Sequence, residues 1–226
     1  MNSPRDSRVV PRFRDGLIIW SPSASKAGWN RKGRVGSSRQ CYNQPMVIST
    51  KFTHADLLVM PNDGKRREIV DGDLYVTPSP RFNHQAIAAK VYLAIGRYLE
   101  QHPVGEAYFA PLDVIFGEHD VVEPDIIFVL KEHREILQDW VRGAPDLVVE
   151  ILSPTTSSID RGPKLKAYAR YGVAECWIVD PEQRCIEVYQ PSHEGYRLVR
   201  TFRQEETLTS ALLPGLSLTV ASLFQR

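Results

Sequence analysis

Past Thr53 the chain is a succession of short apolar runs cut by Pro, Gly and Asp, and the spacing inside each run indicates the element it can form. Thr53 followed by Asp56 predicts a capped short helix through Met60. Arg67–Val70 and Leu74–Thr77 flank Asp71-Gly72, which predicts a hairpin. Pro78 and Pro80 end that hairpin. Ile87, Val91, Ile95, Tyr98 and Leu99 then recur at helical spacing, predicting a helix over about Asn83–Gln101 with one core-facing stripe. Strands are expected at Ala107–Ala110, Leu112–Phe116 and Asp125–Leu130, and, after a helical or looped Lys131–Trp140, at Asp146–Leu152. Ser153-Pro154 breaks this last strand, and a helix is expected from about Asp160 to Tyr171, with Pro163 in its first turn and Gly172 as its stop. Cys176–Asp180 and Ile186–Gln190 predict a second hairpin, followed by a strand over Tyr196–Phe202 and a closing element around Leu216–Phe224. Strands and helices intermix, which places the chain in the α/β or α+β class with one central mixed sheet flanked by helices.

Residues 1–45 break this pattern. Their only apolar island is Leu17-Ile18-Ile19-Trp20, and nine Lys/Arg stand against Asp6 and Asp15, a net +7. A disordered basic extension is expected, with Met46 as the true start and residues 46–226 as one domain. The chain's net charge is +1, so residues 46–226 carry −6. That excludes the broad basic footprint of a strong non-specific DNA binder. Cys41, Cys176 and Cys185 show no zinc spacing, and a turn at Pro181–Arg184 sets Cys185 opposite Asp180 and not opposite Cys176. No disulfide is expected, which fits a reducing cytoplasm, and no apolar run is long enough to span a bilayer.

Two acids lie where the pattern calls for apolar residues. Asp125 heads the run Ile126–Leu130, and Glu150 sits inside Leu147–Leu152 between Val149 and Ile151. A run apolar on both sides predicts a strand buried on both faces, where a charge needs a cation or a hydrogen-bonded partner. Lys164 follows on the next predicted helix. Two carboxylates can hold a hard divalent cation, Mg²⁺ or Mn²⁺, and a lysine can offset charge building on a phosphate. Plain alternatives exist for each residue. Asp125 can cap the loop before its strand, Glu150 can pair with an arginine, and Lys164 can form a helix-surface salt bridge with Asp160 four positions back. Glu68 and His84 are further candidates; the alternatives are a Glu68 pair with Arg66 or Arg67, and a solvated His84 at a helix start. Asp113 can face the site or solvent, Asp146 lies toward the mouth of its strand, and Asp180 with Pro181 reads as turn chemistry.

Pro124-Asp125 with Glu150 on a later strand resembles the PD-(D/E)XK nuclease pattern. The words around them resemble one branch, the Uma2 family of bacterial restriction-endonuclease-like proteins. They include Arg67-Glu68-Ile69-Val70-Asp71-Gly72, Pro78-Ser79-Pro80 with His84, Ala110-Pro111-Leu112-Asp113-Val114, Val122-Glu123-Pro124-Asp125, Ala144–Pro154 and Gly172–Pro181, in the family's order. The resemblance implies a restriction-endonuclease-like fold and metal-dependent hydrolysis of phosphodiesters in DNA. It implies Asp125 and Glu150 as metal ligands and Lys164, Glu68 and His84 as further catalytic residues. The simple pattern places lysine two residues after the glutamate, where this chain has Leu152, so the resemblance implies that the lysine has moved to Lys164. Cutting both strands would favour a homodimer. The displaced lysine and the acidic core keep a second class open, a non-catalytic interaction or regulatory domain on a nuclease scaffold, and a hydrolase of small phosphorylated molecules is a third. On the catalytic reading, Lys164→Ala is expected to cost rate and leave stability nearly intact.

Overall fold

The computed structural model describes residues 9–14, 17–22 and 51–225. Strands β1 (Val9–Arg14) and β2 (Leu17–Pro22) form a hairpin; α1 (His54–Leu58) precedes the hairpin of β3 (Arg66–Val70) and β4 (Asp73–Thr77). The long helix α2 (Phe82–Gln101) follows, then β5 (Gly105–Phe109), β6 (Val114–Gly117), β7 (Asp120–Val122) and β8 (Ile126–Leu130). After a 3-10 turn at Lys131–Ile136 come β9 (Val141–Arg142) and β10 (Leu147–Ile151). Helices α3 (Ser157–Ile159) and α4 (Leu165–Tyr171) are joined by a π-helical turn, Asp160–Lys164. The chain closes with β11 (Glu175–Asp180), β12 (Cys185–Ser192), β13 (Gly195–Phe202), β14 (Thr207–Leu208), β15 (Leu218–Thr219) and α5 (Val220–Phe224).

The expected single sheet is two large mixed sheets. One runs β13-β12-β11-β10-β8-β5 and the other β1-β2-β4-β3-β7-β6-β9. The chain crosses from the second to the first at Glu123-Pro124-Asp125, between β7 and β8. Pro124 has no N–H to give a ladder, so pairing stops there and the strand changes sheets. The six-stranded sheet has two dry faces. Ile126, Phe128, Leu147, Val149 and Ile151 pack under Ile87, Val91, Ile95 and Tyr98 of α2 and under the C-terminal segment. Ile127, Val129, Val148, Cys176 and Ile178 face Ala167 and Tyr168 of α4 and Val70, Tyr75, Val114 and Val122 of the second sheet. β10 pairs antiparallel with β8 and parallel with β11, with Glu150 opposite Ile178. Side chains alternate along a strand, so Glu150 shares the Val148 face and points between the two sheets.

The capping box at Thr53 is complete: Asp56 N–H donates to the Thr53 hydroxyl at 3.3 Å, and Thr53 N–H donates to the Asp56 carboxylate at 2.8 Å. Asp180 pairs with Cys185 in the β11–β12 register, and Cys176 and Cys185 are buried free thiols. Two strands lie within the segment expected to be disordered. The apolar island pairs with β4, Ile18 opposite Val76 and Trp20 opposite Leu74, because an unpaired sheet edge accepts a short apolar strand. Most of residues 1–45, and the proposed start at Met46, lie outside the described residues.

Two glycines separate packing from conformational effects. A methyl group on Gly105 would sit 2.3 Å from the Val129 carbonyl oxygen and 2.6 Å from the Phe128 ring, whereas one on Gly96, inside α2, would meet nothing within 4 Å. Gly105→Ala is expected to destabilise by roughly 1–3 kcal/mol, and Gly96→Ala to stabilise by about 0.5–1 kcal/mol. Urea denaturation of both variants checks the pair of signs.

Candidate active site

Five parts of the chain deliver ionisable side chains to one cleft of about 370 Å³. β3 supplies Arg66 and Glu68, the first turn of α2 supplies His84, the head of β8 supplies Asp125, the C-terminal end of β10 supplies Glu150, and the π-helical turn supplies Asp160 and Lys164. The register explains the central pair. Ile126 opposes Val149, so Asp125 falls beside Glu150 just beyond the last rung of the ladder. There the Asp125 carboxylate takes the place of a backbone acceptor and receives the Ile151 N–H at 2.8 Å. Asp125 therefore caps a strand and faces the cleft at once. Its other contacts are His84 Nε2 at 3.1 Å and Arg66 at 3.4 Å.

Lys164 is the centre of the cluster. Its Nζ lies 2.7 Å from Glu150, 3.0 Å from Glu68 and 3.2 Å from Asp160, with its side chain 1% exposed. The Asp160 pairing anticipated from the four-residue spacing exists, but it is internal. The backbone makes this possible. Pro163 lies within the helical run and not in its first turn, and a proline there removes an N–H and crowds the carbonyl four residues back. The helix widens into a π turn around it. Asp160, Lys164 and Tyr168 then line up toward the sheet, and the Tyr168 hydroxyl donates to Glu150. Glu68 Oε1 also accepts the Glu123 N–H at 2.9 Å and lies 3.5 Å from Arg66, while Arg67 turns away to Asp63. His84 is not a solvated helix-start residue; it sits against Asp125.

Five carboxylates, those of Glu68, Glu123, Asp125, Glu150 and Asp160, share two permanent cations, Arg66 and Lys164. Their protonation divides accordingly. Burial works against Asp125 ionising, but His84 and Arg66 hold its carboxyl below the ordinary value. Arg66 and Lys164 do the same for Glu68 against its burial. Glu150 goes the other way: burial, reinforced by Asp160, Asp125 and Glu68, outweighs Lys164 and pushes it up to about 8. Burial likewise raises Asp160, and raises Glu123 to about 7. Lys164 is held charged, well above its usual value, by Glu150, Glu68 and Asp160 despite its burial. Asp125 pulls His84 upward against its own burial.

Among the described residues no three His, Cys, Asp or Glu side chains converge into a metal cage. The donor set is nonetheless that of a hard cation. Mg²⁺ keeps most of its waters and takes one or two carboxylates plus substrate oxygens, so the adjacent Asp125 and Glu150 suit it better than a protein cage would.

A sequence profile for the Uma2 family, described as "Putative restriction endonuclease", matches residues 54–221. The chain belongs to the Uma2 family. An uncharacterized protein of Synechocystis sp. is 24% identical over 165 residues, covering 71% of this chain and 84% of its own length. The crystal structure of a putative nuclease belonging to DUF820 from Anabaena variabilis superimposes with a TM-score of 0.64 at 22% identity, covering 76% of this chain and 97% of that one. That likeness establishes the nuclease-like fold. No helix among the described residues is long and apolar enough to cross a membrane.

The five residues singled out from the Uma2 sequence all line this one cleft. Sequence reasoning offered Arg66 only as a partner of Glu68 and Asp160 only as a surface partner of Lys164; it missed Arg66 as the cation shared with Glu123 and Asp125, and missed Tyr168 as a partner of Glu150. The i, i+4, i+8 spacing of Asp160, Lys164 and Tyr168 was the available signal. Asp146 belongs elsewhere, bonded to the Leu130 N–H and His133, and Asp180 accepts the Glu182 and Gln183 N–H groups of its turn.

The expectation that Lys164 is dispensable for stability does not survive its burial. Removing it strands three buried carboxylates, and breaking such a cluster costs about 3–5 kcal/mol. Lys164→Ala is expected to lose that much at pH 8 and less at pH 5, where the acids can take protons; chemical denaturation at both pH values checks it. The wild type should show the Glu150 signature. Its carboxyl is protonated in the fold up to about 8 but ionises near 4.5 when unfolded, so the native state binds the extra proton between those values. This group's contribution is full near pH 4.5 and is lost as pH rises to about 8. Melting temperature in EDTA should fall across that window, and Glu150→Gln should flatten the slope.

Proposed function

We propose that this Uma2 protein is a divalent-metal-dependent nuclease that hydrolyses phosphodiester bonds in DNA. The observation that carries the reading is Asp125 and Glu150 side by side at the cleft, just past the Ile126–Val149 rung, with the Lys164 amine 2.7 Å from Glu150. Asp125 and Glu150 would hold Mg²⁺ or Mn²⁺, which supplies a polarised phosphate and a water of lowered pKa. Asp125 is fixed for this by the Ile151 N–H and by His84, so its orientation costs nothing on binding. Lys164 is already desolvated and held charged beside Glu150, and would offset the negative charge that grows on the phosphate. Two buried polar atoms of the cleft residues, His84 Nδ1 and Thr77 Oγ1, have no protein partner and can serve phosphate oxygens or water. A homodimer would bring two such clefts to one duplex.

One observation favours a second reading, a binding domain on the same scaffold. The contacts of the Lys164 amine are all to carboxylates of the chain itself, and no three-ligand metal cage is formed among the described residues. Metal and DNA separate the two. The wild type is expected to nick plasmid DNA in Mg²⁺ or Mn²⁺ and to be silent in EDTA. Asp125→Asn should lose at least about a hundredfold in rate and lose any metal-induced rise in melting temperature, while keeping its fold. A metal-stabilised wild type that cuts no DNA in any form would decide for the binding domain.

A further inference from the structure

Beside the acid-lined cleft lies a second groove of about 570 Å³, between the first turn of α2 and α5. The two share Asn83 and Pro181 and so are continuous at the surface. Their linings differ in charge. The cleft sets Glu68, Asp125, Glu150 and Asp160 against Arg66, Arg81 and Lys164, whereas among the described residues the groove carries no carboxylate, only Arg184 and Lys90, whose amine donates to the Ser222, Leu223 and Gln225 carbonyls. The groove also carries two aromatic rings, Phe82 and Phe224. Phe82 opens α2 with 80% of its surface exposed, two positions before His84, which touches Asp125. A lone exposed aromatic is ordinary. This one shares its groove with a cation held in an unusual way: Arg184 has a φ of +52°, a conformation that favours glycine or asparagine, and its guanidinium lies over the other aromatic, 5.8 Å from the Phe224 ring centre.

Cations tracking a backbone beside exposed ring faces are the recognition chemistry of unpaired nucleic acid, whose bases present free π-faces that a duplex hides. We propose that this groove holds the single-stranded segment leading away from the scissile phosphate, with one base stacked on Phe82 and the backbone passing Arg184. The inference rests on reading the adjoining cleft as a phosphodiester-cleaving site. It makes Phe82 a positioning residue and directs the enzyme to strands that are unpaired on one side of the cut. A neutral or basic peptide would gain nothing from Arg184, and an acidic surface patch on a second copy is the remaining competitor.

Binding and cleavage are measured separately on the full chain. Fluorescence anisotropy with a labelled oligothymidylate of about twelve nucleotides, in EDTA, reads the groove alone. Phe82→Ala is expected to weaken binding by about fivefold or more, Phe82→Trp to restore it, and Arg184→Ala to weaken it with a shallower salt dependence. Replacing the thymidines by abasic units should bring the wild type down to the Phe82→Ala level. Equal binding by wild type and Phe82→Ala overturns the proposal. So does a loss that Phe82→Trp fails to restore, or a concentration-dependent dimer that Phe82→Ala abolishes. The two readings fail differently. Phe82-dependent binding with no cleavage in Mg²⁺ or Mn²⁺ leaves the groove standing and removes the catalytic reading; cleavage indifferent to Phe82 and to strand pairing does the reverse.

Discussion

The structure turns on one buried amine. Lys164 is 1% exposed and meets carboxylates from three separate elements: Glu68 of β3, Glu150 of β10 and Asp160 of its own helical run. A lysine in that position is intolerable without partners, and so are the acids without it. The cluster therefore ties the two large sheets and the α3–α4 helix together through charge, at the point where apolar packing between them gives way to the cleft. Such a tie contributes little net stability relative to an apolar substitute of the same shape. What it does is hold the carboxylates in one arrangement.

Other features of the backbone follow from supplying that arrangement. Pro124 ends the β7 pairing and lets the chain change sheets, which puts Asp125 off the end of the ladder and against the Ile151 N–H. The π turn around Pro163 brings Asp160, Lys164 and Tyr168 onto the face that meets Glu150. Both prolines act by withholding an N–H, one from a sheet and one from a helix. In each case the residue after the proline, Asp125 or Lys164, is a charged one that the break re-aims. Tyr168 completes the set from α4 by donating to the Glu150 oxygen that Lys164 also meets.

Much of this was legible in the sequence because it rests on local pattern. The stripe Ile87, Val91, Ile95, Tyr98 marked the buried face of α2, and Asp71-Gly72 marked the β3–β4 turn. Glu150 was conspicuous because an acid between Val149 and Ile151 violates a pattern of burial on both faces. What stayed hidden depends on pairing between distant segments. That Arg66 and not Arg67 serves the cleft is decided by strand alternation relative to a sheet whose register the sequence does not state. The splitting of one expected sheet into two follows from Pro124, but a proline beside a strand reads equally well as a simple strand end. The Asp160–Lys164 spacing is the same for a surface salt bridge and a buried one, and only the position of β10 beneath the helix distinguishes them.

The unequal protonation of the acids links this architecture to chemistry. If all five carboxylates were ionised, three negative charges would remain uncompensated by Arg66 and Lys164, and a phosphate would be repelled from the cleft. Burial answers this by keeping a proton on Glu150, pushed up to about 8, and by raising Glu123 to about 7. Asp125, held ionised by His84 and Arg66, remains the standing anion that a cation would meet first. On the proposed metal-dependent reading, a divalent ion held at Asp125 would neutralise the same excess the protons do, and Glu150 would have to give up its proton to serve as the second carboxylate. Asp125 would then be the fixed ligand and Glu150 one that becomes available only when a cation competes for its proton. With that division, phosphate would enter after the cation, because the charge of the acids themselves opposes the reverse order.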